Sequence, residues 1–190
     1  MPHPRNAAGL TLIEAILTLA LLSILAGFAV ASWTKIGAST RHTELVNSIH
    51  RTFAFARSHA VHQKTLTTIC PLSAEGECVD DWNLPVSIFS DSNNDKRPDG
   101  GNLNRVVTLS SKQSALFSRT AGRGYFQLAP NGMSHGTMGS IIACSSTGSD
   151  SVKMSYLALN IGGRLRTLHD ENDDGKMVLP WGAEISCPSH

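Results

Sequence analysis

Residues 10–31 read LTLIEAILTLALLSILAGFAVA, and Glu14 is the single charged side chain in this run. About 20 apolar residues allow a helix to cross the roughly 30 Å hydrocarbon core of a membrane, so the run predicts a transmembrane helix. A secretory signal peptide is the alternative, because Ala29-Val30-Ala31 resembles a cleavage site. A signal peptide has a shorter apolar region, however, and an ionisable group at membrane depth normally requires a partner. Glu14 therefore favours a helix that stays in the protein.

The helical pattern continues beyond this run. No proline interrupts residues 10–64, and apolar residues recur at intervals of three and four, which is the period of one helix face. The members of this apolar stripe are Leu45, Ile49, Phe53, Ala56 and Ala60. We therefore expect one helix about 75 Å long, apolar over 10–31 and amphipathic over 32–64, with its second half packed on a sheet.

Short segments of β type follow the helix and are separated by clusters of Gly, Pro, Asn, Asp and Ser. The predicted strands are 66–70, 86–89, 105–109, 125–128, 140–144, 152–159 and 164–168. The sequence therefore predicts an α+β protein in which the amphipathic half of the helix lies across an antiparallel β-sheet domain, residues 65–190.

Four cysteines lie in the β-rich region, and four cysteines allow three pairings. Cys70 and Cys78 bracket a short loop, PLSAEGE, that closes easily, and this pairing would leave Cys144 to join Cys187. The spacings match no compact zinc pattern. A membrane span followed by a folded domain suggests that the domain lies in the oxidising periplasm. Disulfides Cys70–Cys78 and Cys144–Cys187 are therefore favoured over a metal site.

The charges balance over the whole chain but not locally. The chain has 16 Lys and Arg against 15 Asp and Glu, which excludes a histone-like basic arm and an acidic tail. Residues 101–169 nevertheless hold seven basic residues and one acid, whereas residues 170–190 hold one Lys and five acids. A basic block of this kind is a candidate binding surface for a polyanion. The alternative is that the fold scatters these charges over sheet edges and loops.

The start of the apolar run carries a short motif, GLTLIE at 9–14. It resembles the class III signal of type IV prepilins, in which a prepilin peptidase cuts after the glycine. The resemblance implies a leader peptide, residues 1–9, cleavage between Gly9 and Leu10, and N-methylation of Leu10. Ala8 stands where the family usually has a basic residue, and Leu10 stands where it usually has Phe.

Glu14 would become the fifth residue of the chain after such cleavage. In a filament of packed helices its carboxylate can pair with the free terminal amine of a neighbouring subunit, and the pairing offsets the cost of removing both charges from water. We therefore expect Glu14 to act in assembly and not in catalysis. The implied partners are prepilin peptidase, other major and minor pilins or pseudopilins, and the inner membrane, which a single span crosses to leave the C-terminal domain in the periplasm.

Further motifs along the domain narrow the family. In chain order the sequence reads TICP at 68–71, Cys78, Trp82, IFSDSNND at 88–95, PNG at 130–132, IAC at 142–144 and GRLR at 163–166. This series resembles the FimT/FimU/GspH group of minor pilins and pseudopilins, although Leu84-Pro85 stand where the family often has a glycine. The resemblance implies a pilin-like fold and assembly into a type IV pilus-type filament. Members of the group initiate and cap type IV pili, belong to the type II secretion pseudopilus, or, in FimT proteins, bind DNA during natural transformation.

The GRLR motif at 163–166 carries the DNA prediction. A GRxR motif near the C-terminal end is associated with DNA contact in FimT-like proteins. In a strand, Arg164 and Arg166 would point to the same face, and arginine can contact phosphate in a bidentate manner. We expect these two residues to bind double-stranded DNA without sequence specificity, helped by other members of the basic block, Arg119, Arg123 and Lys153.

Two alternatives stand beside the DNA prediction. In the first, GRLR closes a hairpin and its arginines pair with the acids that follow, Asp170, Glu171, Asp173 and Asp174. In the second, which concerns function, the chain is a purely structural minor pseudopilin of a type II secretion system or of a pilus-tip priming complex, and it binds no DNA.

We expect neither a metal site nor a catalytic site. The acidic segments 91–95 and 170–175 place oxygen ligands at alternate positions, but neither has the glutamate that completes an EF-hand loop, so Asx-rich turns are favoured over calcium sites. The sequence has no phosphate loop, nucleophile elbow or His–Glu zinc signature, which predicts a protein that is not an enzyme and needs no cofactor. The histidines of the helix are interpreted as solvated surface: His42, His50, His59 and His62.

Overall fold

Helix α1 spans Leu12–Gln63 in the computed structural model. The structure describes residues 11–136, 138–146 and 151–188, and within α1 it does not describe the side chains of 28–36 and 38. The helix ends where Lys64 adopts a left-handed φ of 50° and the amide of Thr65 donates to the carbonyl of Ala60 at 3.3 Å, which is a common helix termination. The long helix that the absence of proline predicts is therefore present.

The chain divides into two compact units, Met1–Gly37 and Ala38–His190. In the described part of the first unit, α1 exposes its large apolar side chains, and Leu12 is 81% exposed. The predicted membrane segment, 10–31, lies partly outside the described residues, which do not include residue 10 or the side chains of 28–31. Within the described residues, no helix is both long enough and apolar enough to cross a membrane.

The strands of the second unit pair into antiparallel sheets, as predicted. Their bounds are β1 Thr67–Pro71, β2 Val86–Ser90, β3 Arg105–Val107, β4 Ser114–Arg119, β5 Phe126–Leu128, β6 Ser140–Ser146, β7 Val152–Leu159, β8 Leu165–His169, β9 Lys176–Val178 and β10 Glu184–Ser186. The first sheet has the order β3-β2-β1-β5, the second has the order β4-β6-β7-β8, and β9 and β10 form a separate hairpin.

Three strands of the described residues were not predicted from the sequence. The segment SALFSR of β4 shows no clean alternation of apolar and polar residues, and alternation is the main sequence signal for a half-buried strand. Strands β9 and β10 have three residues each, which is too short for any period to be visible. The described residues of the β-rich region therefore form two sheets and a hairpin where the sequence predicted one sheet.

The apolar stripe of α1 is buried, as its helical spacing predicted. The exposed fractions of Ile49, Ala56 and Ala60 are all 0%. This stripe shares one core with residues of both sheets, and the ring of Phe126 in β5 meets Phe53 edge-on at a centroid distance of 5.2 Å. Burying one such aromatic or aliphatic side chain contributes roughly 1.5–3 kcal/mol, so the stripe holds α1 firmly against the sheets.

The face of the second sheet that points away from α1 carries a second core. Along β6, Ile141 packs in the core with α1 whereas Ile142 packs in the second core, as the two-residue period of a strand requires. The β9–β10 hairpin covers this face with Leu179 and Ile185. The Cys144–Cys187 disulfide, with a Cα–Cα distance of 6.0 Å, attaches the segment after the hairpin to β6.

The other disulfide joins Cys70 to Cys78, with a Cα–Cα distance of 5.5 Å. Both disulfides are the pairs that the sequence favours, and both Cα–Cα distances lie in the usual range for a disulfide.

Candidate nucleic-acid interface

The GRLR motif begins in the turn between β7 and β8. In this turn the amide of Asn160 donates to the carbonyl of Arg164, and the amide of Gly163 donates to the carbonyl of Asn160, each at 3.0 Å. The side-chain oxygen of Asn160 accepts from the amide of Arg164, also at 3.0 Å. Strand β8 starts only at Leu165, one residue later than predicted. Arg164 thus belongs to the turn, and strand alternation does not relate its direction to that of Arg166.

Both the backbone conformation at position 163 and the close approach of Gly132 require a glycine there. Its φ is +68°, a backbone conformation that favours glycine. A Cβ placed on Gly163 would overlap the carbonyl oxygen of Gly132, which lies in the turn 129–133. The amide of Ser134 donates to the carbonyl of Ile161 at 2.9 Å and fastens the two turns together. Backbone geometry alone therefore explains the glycine of GRLR.

Arg164 lines a groove of about 630 Å³ between this turn and the flank of α1. We call it the basic groove and define it by His50, Arg57, Ser58, His62, Gly163 and Arg164. The Nε atom of Arg57 donates to the carbonyl of Gly132 at 2.9 Å, which fixes the guanidinium against the neighbouring turn. Among the described residues, no Asp or Glu lines this groove. The helix and the turn together therefore present positive charge to solvent.

Arg166 occupies a different position, in a row that crosses the second sheet. The strand register pairs Arg119 with Ser140, Ser140 with Ala158, and Ala158 with Arg166. Residues directly opposite one another in antiparallel strands share a face, so Arg119 and Arg166 lie on one face at the two edges of the sheet. Three strand spacings of about 4.8 Å separate them by roughly 14 Å. This face carries the second core and points away from α1.

Both arginines of GRLR are exposed, and neither forms an ion pair with a described acid. The alternative from the sequence thus holds in one half only. GRLR does close a hairpin, but its arginines do not pair with the described acids that follow it. One of these acids, Asp173, pairs with Lys153 instead. The arginines keep their charge available for a ligand.

Two other members of the predicted binding set lie elsewhere. Lys153 in β7 faces α1, where its Nζ atom is 3.2 Å from Oγ of Ser39 and 3.5 Å from Oδ2 of Asp173. It therefore lies on the opposite face of the sheet from Arg119 and Arg166. Arg123 is exposed in the loop between β4 and β5. The structure brings Arg119 and Arg166 into one row but does not bring Lys153 to them.

A second cavity, of about 390 Å³, follows the basic groove along α1. We call it the mixed cavity, because it is lined by charges of both signs, among them His42, Lys153, Asp170 and Asp173. His42 is buried, with Nδ1 at 2.9 Å from Oγ of Ser145 and Nε2 at 2.8 Å from Oγ of Ser155. These bonds tie α1 to β6 and β7.

Burial is the largest of the effects that lower the pKa of His42 to about 4, and electrostatic interactions with Lys153 and His169 act in the same direction. Asp173 opposes them weakly. His42 is therefore neutral at neutral pH, and its hydrogen bonds are those of a neutral ring. The interpretation of His42 as solvated helix surface is wrong, because its position faces β6 and β7 rather than water.

The other histidines of α1 differ among themselves. The Nε2 atom of His50 is 2.7 Å from Oγ1 of Thr167 in β8, and Nδ1 of His59 is 3.2 Å from Oγ1 of Thr67 in β1. Burial lowers the pKa of His59. His62 is exposed, as the sequence predicted. Three of the four histidines thus connect α1 to the sheets, which the sequence did not reveal.

The N-terminal motif is described only in part. Gly9 and Leu10 lie outside the described residues, so cleavage and N-methylation there stay predictions. Glu14 is exposed in the first turn of α1, and its amide is 3.4 Å from Oγ1 of Thr11.

In both acidic segments the first carboxylate is hydrogen-bonded to other groups of the domain. Oδ2 of the buried Asp91 accepts from Oγ1 of Thr68 at 2.6 Å and from Nε2 of Gln127 at 2.9 Å. Oδ2 of Asp170 accepts from the amide of Gly175 at 2.8 Å. In the part of the chain that the structure describes, no group of three or more His, Cys, Asp and Glu side chains could hold a metal ion.

The long helix, the antiparallel sheets and the N-terminal motif together define a type IV pilin-like protein. A family model described as "Type II transport protein GspH" matches residues 45–159, and one described as "Prokaryotic N-terminal methylation motif" matches residues 4–30. The first match covers more than half of the chain, so the chain belongs to the GspH family, within the FimT/FimU/GspH group of minor pilins and pseudopilins that its motifs resemble. No curated protein matches the chain.

Two crystal structures of the type IV minor pilin FimU from Pseudomonas aeruginosa PAO1 resemble the chain. The first has 16% sequence identity and a TM-score of 0.50, and the match covers 71% of this chain and 93% of that chain. The second, in another space group, has 17% identity and a TM-score of 0.49, with 70% and 97% covered. At this identity, the first likeness establishes the fold and nothing beyond it. The predicted α+β pilin-like fold is confirmed.

Proposed function

We propose that this pilin-like subunit assembles into a type IV pilus-type filament through α1, and that its β-rich domain binds double-stranded DNA without sequence specificity. Assembly is supported by the methylation motif and by the apolar side chains of α1 between Leu12 and Leu25, which are exposed in the described chain. Such a surface needs lipid or neighbouring helices to cover it. In this proposal a prepilin peptidase cuts between Gly9 and Leu10, Leu10 is methylated, and residues 10–31 cross the inner membrane.

Glu14 provides the test of assembly. We expect Glu14→Gln to insert into the membrane normally but to reach sheared filaments at a severalfold lower level, because the carboxylate that would pair with a neighbouring terminal amine is gone. Glu44→Gln is the matched control, since Glu44 is also exposed on α1 but lies outside the apolar run. Equal amounts of the two variants in purified filaments would contradict the assembly role of Glu14.

DNA binding is supported by one observation above all: the arginines of GRLR are exposed and unpaired with any described acid. Arg119 adds a third guanidinium in the row of Arg166. Contacts of this kind neutralise phosphates and carry no sequence information, which is what non-specific uptake of DNA requires. The binding should weaken steeply with salt, because each neutralised phosphate releases counterions.

A gel-shift titration of residues 38–190 with duplex DNA tests this proposal. We expect the double variant Arg164→Ala/Arg166→Ala to lose affinity by about tenfold or more. The control Arg51→Ala/Lys112→Ala removes the same charge from exposed positions outside the motif. Equal affinity of the two double variants refutes this site. A wild-type domain that shifts no DNA leaves the structural alternative, a minor pseudopilin or priming subunit without DNA binding.

A further inference from the structure

The two arginines of GRLR lie in different surroundings, and this difference separates their roles. Arg164 lines the basic groove, whereas Arg166 lies in the row on the face that points away from α1. A ligand that contacts Arg164 in the groove therefore also contacts the flank of α1, whereas Arg166 lies on another face of the domain.

The flank of α1 that lines the groove is one helical face. Ala54, Arg57, Ser58, Val61 and His62 line it together, and their spacing of three and four residues places them side by side. This face lies next to the apolar stripe, so packing of the stripe on the sheets fixes where the groove residues stand. The positions of Arg57 and His62 are thus set by the core.

The chemistry of the groove suits a phosphate group. Nε of Arg57 is engaged by the carbonyl of Gly132, which holds the guanidinium in place and leaves its terminal nitrogens without a partner among the described residues. A guanidinium held in this way loses little freedom when it binds phosphate. Ser58 and His62 add a hydroxyl and an imidazole, which are hydrogen-bond donors of the type found at phosphate contacts. No described acid lines the groove to repel an anion.

We infer that the basic groove is the phosphate-binding part of the DNA site, in which Arg57, Ser58 and His62 of α1 contact the backbone together with Arg164. The inference rests on the proposed binding of DNA and assigns to α1 residues that the motif does not include. In this arrangement Arg164 contributes more than Arg166, and the groove is closed to DNA by any negative charge placed on the helix face.

The test uses the full-length chain in detergent micelles and a fluorescein-labelled DNA duplex of arbitrary sequence, with anisotropy measured over a range of salt concentrations. Ser58→Glu places a carboxylate in the groove, and Asn47→Glu makes the same change at an exposed position of α1 outside it. We expect Ser58→Glu to weaken binding about tenfold and Asn47→Glu to leave it near the wild-type value. We expect Arg164→Ala to lower the slope of log affinity against log salt by about one, and Arg166→Ala to change it less.

The outcomes separate this inference from the proposed function. If Ser58→Glu binds as tightly as Asn47→Glu while Arg164→Ala/Arg166→Ala loses binding, the groove is not the site and DNA binding stands. If the wild-type chain binds no duplex, the inference and the proposed function both fail. Thermal melting of each variant tests whether a loss of affinity comes from a loss of fold. Arg57→Ala is not used as a test, because the hydrogen bond of Arg57 to Gly132 makes the substitution a folding risk.

Discussion

The basic groove and the mixed cavity lie side by side between α1 and β8, and His50 lines both. In the mixed cavity the charges and polar atoms satisfy one another: Lys153 pairs with Asp173, and both ring nitrogens of His42 have hydroxyl partners. In the basic groove the guanidinium of Arg164 has no described acid to meet. Between α1 and β8, the polar and charged groups are thus paired with one another at one end, whereas at the other end the described residues leave Arg164 without an acidic partner. The difference arises from where the acids of 170–174 fall, which is beyond the far end of β8.

The largest effect is expected from a change that breaks the basic groove. Gly163→Ala should destabilise the domain by about 4 kcal/mol, because the new methyl group meets the carbonyl of Gly132 and the left-handed φ is strained as well. Urea unfolding of residues 38–190 measures this. Gly76→Ala is the control, since Gly76 has a φ of +78° with no atom near its Cβ position, and strain alone should cost about 1 kcal/mol. Equal losses would show that the contact between the two turns is unimportant.

The next effect concerns the mixed cavity and acid. The pKa of His42 is lowered from 6.5 to about 4, so the unfolded chain takes up a proton that the folded chain refuses. Protonation of the unfolded chain therefore lowers the free energy of unfolding. The loss begins as the pH falls below 6.5 and reaches about 3 kcal/mol near pH 4. Unfolding free energies measured across this range should fall more steeply for the wild type than for His42→Gln. The same slope in both proteins would contradict the role of His42.

The smallest effect is expected from the ion pair beside His42. Lys153 and Asp173 are partly exposed, so Lys153→Met should change stability at neutral pH by less than about 1 kcal/mol. The positive charge of Lys153 helps to lower the pKa of His42, so its removal raises that pKa and makes the loss of stability in acid smaller. Lys176→Met, at an exposed position in β9, serves as the control. An acid profile that is unchanged in Lys153→Met would show that the charge of Lys153 does not help to set the pKa of His42.

The sequence predicts the parts of the fold that follow from local periodicity. The stripe that includes Ile49 and Phe53 is buried because a helix repeats every 3.6 residues and only one face can meet a sheet. Strand β7 was predicted with its observed bounds, 152–159, since it has eight residues and clear β-forming character. Strand β4 was missed because SALFSR shows no clean alternation of apolar and polar residues, and its pairing with β6 is a tertiary property.

The candidate site was predictable only where the motif is contiguous. Arg164 and Arg166 stand out in GRLR, but Arg57 and Ser58 are about a hundred residues earlier and have no signal of their own. Their helical spacing places them on one face, yet nothing local indicates that the turn 160–164 docks there. His42 was misread for the same reason, because its hydroxyl partners, Ser145 and Ser155, come from distant strands.

The contact between Gly163 and the carbonyl of Gly132 bears on how relatives of this chain can be sorted. A pilin that keeps these two touching turns must keep the glycine, whatever its ligand is, so the first letter of GRxR reports the architecture of a hairpin. In the DNA site that we propose, the contacts with nucleic acid come from the arginine that follows and from the helix position that lines the same groove, Arg57 in this chain. A search for DNA-binding pilins is therefore sharper if it asks for a basic residue at both places.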